Sequence, residues 1–112
     1  MRPGNLFLDD RPPPGGERFD TLLAHRNLLI ERIVSSADIV PGDYLQEQDE
    51  WVVLLRGSAT LVVDGEETRL TAGDYLFLPA RTPHSVTQTS AGALWLAIHL
   101  HPQGATESTP SP

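Results

Sequence analysis

The chemistry open to this chain is bounded first by an absence. With no cysteine in 112 residues, neither a thiolate nucleophile nor a disulfide framework is available, and the reactive types left are imidazole, carboxylate, amide, phenol and guanidinium. One histidine stands out by its setting. His84 follows Gly73-Asp74-Tyr75-Leu76-Phe77-Leu78-Pro79-Ala80-Arg81-Thr82-Pro83: a turn dipeptide, a short β-prone run, and two prolines that cannot donate to a central ladder. The prolines confine residues 79–83 to a loop, so His84 opens a new strand running to Thr89. An imidazole can make hydrogen bonds or offer a nitrogen to a metal. The second candidate is Glu50, at the head of the β-prone run Glu50 to Arg56 that Gly57 breaks. It comes just after an extended piece, Tyr44-Leu45-Gln46, and the polar loop Glu47-Gln48-Asp49.

The elements that must position these groups read almost entirely as strands. Leu28 to Ser35 is β-branched and apolar with Glu31-Arg32 embedded, and Pro41-Gly42 is a turn. Ala59 to Val63 and Glu66 to Leu70 flank Asp64-Gly65, a strong hairpin signal. Tyr75 to Leu78, His84 to Thr89 and Ala93 to His101 complete the set. Seven to nine short strands with turns every several residues predict an all-β antiparallel sandwich or barrel. Ahead of them, Asn5-Leu6-Phe7-Leu8 reads as an edge strand and Arg11 to Gly16 as a stiff Pro/Gly connector. Phe19, Leu22 and Leu23 at helical spacing, with Glu17 and Asp20 early, predict one amphipathic helix over residues 17–25. The expected organisation is an arm with a short helix over residues 1–26, a barrel over 27–101 and a disordered tail over 102–112, which lacks large apolar residues.

The formal net charge of −7 argues against a phosphate-backbone binder, because nucleic-acid affinity rests on clustered cations releasing counterions. No apolar run approaches the roughly 20 residues needed to span a bilayer, and Met1-Arg2-Pro3-Gly4 does not open a signal peptide. The expected setting is cytoplasmic, with no nucleic-acid or membrane partner.

The stretch ending in His84 resembles the second signature of the cupin superfamily: Gly, five residues, Pro, one residue, Gly, two residues, His, three residues, Asn. Gly73, Pro79 and His84 fall on it, while Arg81 stands where a glycine is usual and Gln88 where an asparagine is usual. The first signature is Gly, five residues, His, one residue, His, three or four residues, Glu, six residues, Gly. Glu50 and Gly57 match its second half, and Tyr44 and Gln46 occupy the positions of its two histidines. From about Leu28 to Leu100 the chain is similar to small single-domain cupins of an uncharacterised bacterial group. The resemblance implies the cupin double-stranded β-helix, an RmlC-like jelly-roll barrel.

In metal-bearing cupins the matching positions hold a divalent ion, a mixed imidazole and carboxylate shell suiting borderline transition metals while leaving positions open. The resemblance therefore implies Gln46, Glu50 and His84 as metal ligands for iron, manganese, nickel or zinc. Tyr44 would be a weak contributor or general acid, and Arg81 a contact for an anionic substrate. The function implied is a metal-binding small-molecule enzyme of oxygenase, isomerase or lyase type. The alternative is a metal-free barrel that binds or senses a small molecule, with His84 hydrogen-bonded to Glu50 or Gln46. His99 could replace a lost histidine, but alternation places it with Trp95, Ala97 and His101, opposite an apolar face of Leu94, Leu96, Ile98 and Leu100. Trp51 and Trp95 are expected on one face away from the ligands, either at the contact of a homodimer or packed beneath the helix.

Overall fold

The structure, a computed structural model that describes residues 1–103, builds eight strands and, among those residues, no helix. They are β1 (Glu17–His25), β2 (Leu28–Ser35), β3 (Asp49–Arg56), β4 (Ser58–Val63), β5 (Glu66–Thr71), β6 (Tyr75–Leu78), β7 (His84–Thr89) and β8 (Ala93–Leu100). A five-stranded sheet runs β1-β2-β8-β3-β6 and a three-stranded one β5-β4-β7, all pairings antiparallel. The sequence positions of the turns set this order. Asp64 and Gly65 both take positive φ, 50° and 81°, the backbone a tight two-residue hairpin between twisted strands demands. Gly57 sits at φ 92° between β3 and β4, where an added Cβ would lie 2.6 Å from the Ser90 hydroxyl and 3.0 Å from the Ala93 Cα. Only glycine lets β4 depart there so close to β8.

The two sheets face each other across Ile33, Val52, Leu54, Leu61, Leu70, Leu78, Val86, Trp95 and neighbours. The packing leaves an apolar void of about 10 Å³ between Ile33, Val52, Leu61, Leu78, Val86 and Trp95, no more than one water could fill. The one polar atom of the Trp95 ring is satisfied inside this core: Nε1 donates to Ser35 Oγ at 3.0 Å, and that hydroxyl donates to Glu17 Oε2 at 2.6 Å.

Three expectations are corrected here. Residues 17–25 form an edge strand rather than a helix: Glu17 to Thr21 pair with Ser35 to Glu31, and after a register shift between Thr21 and Leu23 the strand continues to His25. The bulge flips the side-chain faces, so Phe19 lies across from core residue Ile33 while Leu23 lies across from outward Ile30, and a pattern of period two is hidden. Residues 6–9 form a turn rather than a strand. Its carbonyls are gripped by arginines of the sheet: Arg32 Nη1 donates to Leu6 O at 3.0 Å and Leu8 O at 2.6 Å, Arg32 Nη2 to Asp9 O at 3.2 Å, and Arg18 to Asp9 O and to Arg11 O. Finally, Trp51 and Trp95 face opposite ways. Trp95 is in the core, whereas Trp51 points outward beside Tyr75, ring centroids 5.5 Å apart. Of the expected tail, residues 104–112 lie outside the described residues.

Candidate functional site

The site lies at the barrel end where β3 and β7 begin and β8 finishes. Three neighbouring strands of the large sheet each turn an ionisable side chain inward there: Glu31 from β2, His99 from β8 and Glu50 from β3, with exposures of 0, 0 and 1%. His99 is the direct partner of Glu50 in the β3–β8 ladder, so the pleat puts both side chains on one face. Its Nε2 lies 2.9 Å from Glu31 Oε1, the Gln48 amide nitrogen lies 3.4 Å from Nδ1, and Glu50 Oε1 stands 4.0 Å from that same nitrogen. Both ring nitrogens of His99 are thus engaged, one by Glu31 and the other by Gln48. The His101 ring stacks on His99 at 6.3 Å.

Glu50 is the centre of the arrangement. Gln46 donates its amide to Glu50 Oε1 at 2.9 Å; the other oxygen, Oε2, has no hydrogen-bond partner among the described residues. Burial pushes the Glu50 carboxyl up to about 7, against the pull of His99 and the Gln46 amide, and the nearby Glu31 and Glu17 carboxyls push the same way. Burial, with Glu31 behind it, also raises Glu17, which the Ser35 hydroxyl partly offsets.

The remaining expected residues are brought to the same end by two strapped segments. Tyr44 and His84 form a bridge, Tyr44 N to His84 O at 2.8 Å and His84 N to Tyr44 O at 3.0 Å, and their rings stack at 5.9 Å. His84 is buried, with Nδ1 3.1 Å from Thr82 O. Arg81 N donates to Gln46 O, and Ala80 N to Asp49 Oδ1, both at 2.8 Å. The structure therefore pairs Gln46 with Glu50 and Tyr44 with His84, while the Arg81 guanidinium turns outward to Glu47 at 3.1 Å, 74% exposed. Arg81 sits at φ 62°, left-handed backbone that glycine takes without cost. Arg81→Gly is expected to raise stability by roughly 0.5–1 kcal/mol, since an exposed ion pair to Glu47 gives back little. A urea midpoint at unchanged slope checks this; a lower midpoint would refute it.

Sequence reasoning missed Glu31 and Gln48 and set His99 on the wrong side. The core-facing set of β8 is Ala93, Trp95, Ala97 and His99, and the more apolar set of Leu94, Leu96, Ile98 and Leu100 faces out. The signal for Glu31 was present as a charged pair inside an apolar strand: adjacent residues point opposite ways, so one of Glu31 and Arg32 had to enter the barrel.

A family model described as the cupin domain matches residues 35–99. The chain belongs to the cupin family. Over 81 residues this cupin is 33% identical to the quercetin 2,3-dioxygenase of Bacillus subtilis, an alignment covering 68% of this chain and 24% of that protein. The chain thus spans about a quarter of the length of that curated relative. Among solved structures it resembles a candidate mannose-6-phosphate isomerase of Ralstonia eutropha, with TM-score 0.81, 35% identity, and coverage of 91% of this chain and all of that one. An RmlC-like cupin of Shewanella frigidimarina, at 19% identity, TM-score 0.72 and 84% of both chains, shares the fold. Among the described residues no helix is long and apolar enough to cross a membrane.

Metal binding in this family requires a donor set, and the one present is reduced. His84 and Glu50 supply one imidazole and one carboxylate, Gln46 an amide, and Tyr44 stands in place of a second imidazole. His99, the imidazole beside Glu50, is engaged on both nitrogens, by Glu31 and Gln48. Among the described residues no group of three or more His, Cys, Asp or Glu is arranged to hold an ion. The residues present do not fit the family's four-ligand centre.

Proposed function

We propose that this cupin is a small-molecule enzyme that moves a proton at Glu50, in an isomerase or lyase type of reaction. The observation that carries it is the state of that carboxyl: buried, held at one oxygen by Gln46, unpartnered at the other, and raised to about 7. A carboxyl whose pKa lies near the working pH is the best compromise between being in the right form and having a driving force for transfer. Strongly raised carboxyls cluster at functional sites for that reason. Gln46 holds Glu50 in place, and the Glu31–His99–Gln48 group fixes the wall beside it. Tyr44 would supply a phenol as acid and Arg81 a cation at the rim for an anionic substrate. The isomerase name of the Ralstonia relative supports a sugar or sugar phosphate as the class to screen first. Glu50→Gln, isosteric but unable to exchange a proton, is expected to lower kcat/KM on the order of 100-fold with folding retained. Undiminished turnover would sink the reading.

A second reading rests on Glu50 Oε2, a buried oxygen without a hydrogen bond among the described residues. Such an atom suits a cation, and Gln46, Glu50 and His84 would be the protein ligands of an open-shelled divalent ion. Mass-spectrometric metal content of wild type and His84→Ala, purified without tag or chelator, tests it. Near-stoichiometric metal lost in the variant supports this reading. None after loading leaves the proton-transfer enzyme or, without turnover, a binding module.

A further inference from the structure

The three-stranded sheet carries a cleft on its outer face, at the end of β7 remote from His84. Its floor is the central strand β4, where Ser58 and Thr60 face out while Ala59 and Leu61 face the core. Register sets Arg69 of β5 opposite Thr60 on one side and Gln88 of β7 opposite it on the other, so a short side chain lies between two long ones. Thr71 and Ser90 close the end beside Ser58. The cleft measures about 440 Å³, within the range of small-molecule pockets. β7 is bulged here: Thr87 is passed over between the pairs Thr60–Gln88 and Leu61–Val86. Thr87 and Gln88 are therefore both exposed, where strict alternation would send one inward. The Thr87 hydroxyl donates to Thr60 O at 3.2 Å, and Gln88 forms the wall.

We propose that this cleft binds a phosphorylated polyol, its phosphate on Arg69 and its hydroxyls along β4 toward Gln88. Charge selects the anion. The chain carries 15 Asp and Glu, yet none lines the cleft, and Arg69 is its single charge. A carboxylate does lie nearby: Glu67 Oε1 is 3.5 Å from Arg69 Nε, both side chains being more than half exposed. Such a contact is worth little, and an arriving phosphate can replace it, since a planar guanidinium meets two phosphate oxygens at once. The hydroxyls select the rest of the ligand. Ser58, Thr60 and Ser90 each carry a group that both donates and accepts, as the Gln88 amide does across the cleft, and a polyol presents the same pairing. Ser90 Oγ already accepts from Ser58 N at 3.0 Å, which leaves its proton to give. The walls stand two strand spacings apart, about 10 Å, room for a hexose with its phosphate. The inference is independent of the proposed function.

The test follows the backbone amides of the full chain by heteronuclear NMR as glucose 6-phosphate, glucose and inorganic phosphate are added in separate titrations. Glucose 6-phosphate is expected to shift the amides of Thr60, Arg69, Gln88 and Ser90 saturably, at concentrations at least ~10-fold below those needed for glucose or phosphate alone. Arg69→Gln, at a position whose side chain is 82% exposed and whose exchange folding tolerates, is expected to weaken binding on the order of 10-fold. Glu67→Gln removes the competing carboxylate and should tighten binding ~2- to 5-fold. Arg26→Gln, which removes an exposed arginine of the β1–β2 turn, should leave it unchanged. So should Glu50→Gln, which keeps this outcome apart from that of the proton-transfer reading. No shift at these amides, equal affinity for phosphate and glucose 6-phosphate, or wild-type binding by Arg69→Gln would each overturn the proposal.

Discussion

Between pH 4.5 and pH 8 this cupin is expected to lose about 3 kcal/mol of stability through Glu50 alone. Below its ordinary value of 4.5 the carboxyl is protonated in the folded and unfolded chain alike, and the side chain's favourable state is fully present. As the pH rises past 4.5 the unfolded chain releases the proton while the folded one, with a value of about 7, still holds it. Stability therefore falls with pH across that window and levels off above about 7, where both states are ionised. The gap between 4.5 and about 7 amounts, at ~1.4 kcal/mol per pH unit, to ~3 kcal/mol. Because Glu50 is almost completely buried, solvent screening trims little from it. Glu17, also raised by burial, works in the same direction, whereas Asp10, lowered by its hydrogen bond from Arg56, works in the opposite one. The comparison that isolates Glu50 is wild type against Glu50→Gln, by urea unfolding at successive pH values. The two curves should meet near pH 4.5 and separate as the wild type falls. Parallel curves would mean that the carboxylate is solvated or neutralised by something bound.

Arg32→Ala is expected to cost about 3–5 kcal/mol. The guanidinium is buried and makes five hydrogen bonds: two to Asp20 Oδ2 at 3.0 and 2.8 Å, and three to the carbonyls of Leu6, Leu8 and Asp9. Truncation leaves the Asp20 carboxylate, among the described residues, with Arg18 at 3.3 Å, and strands the carbonyls against a sheet face. For a domain of this size the loss corresponds to a fall in melting temperature of about 10–20 °C. Proteolysis should cut the arm near Arg11 in the variant while sparing it in the wild type. Arg32→Lys keeps the charge but not the planar fork, and it should restore less than half of the loss. A drop below ~1 kcal/mol for Arg32→Ala would place the arm's anchorage elsewhere.

The parts of the fold legible in the sequence were those punctuated by residues with few options. Gly57, Asp64-Gly65, Gly73-Asp74 and the pair Pro79 and Pro83 each leave the backbone few conformations, so the strands between them fell where expected, and His84 did begin β7. Glu17–His25 was misread because the bulge between Thr21 and Leu23 cancels alternation at the point where Phe19, Leu22 and Leu23 mimic a helical stripe. Alternation along β8 was read correctly but its sides were exchanged. The sheet's outer face carries the larger aliphatics, so apolarity alone did not mark the interior. Within the site, Gln46 and Glu50 do meet. The Glu31–His99 contact joins residues far apart in sequence across two strands, and only the sheet order β2-β8-β3 brings them together.

Arg32 grips the N-terminal arm wholly by its main chain, through the carbonyls of Leu6, Leu8 and Asp9. A clamp that reads peptide oxygens is indifferent to the letters written on the arm. Mutational drift at Phe7 and Leu8 can therefore rewrite what the molecule shows its surroundings without loosening the attachment, which makes this short segment the place where a lineage could change its associations while keeping its barrel.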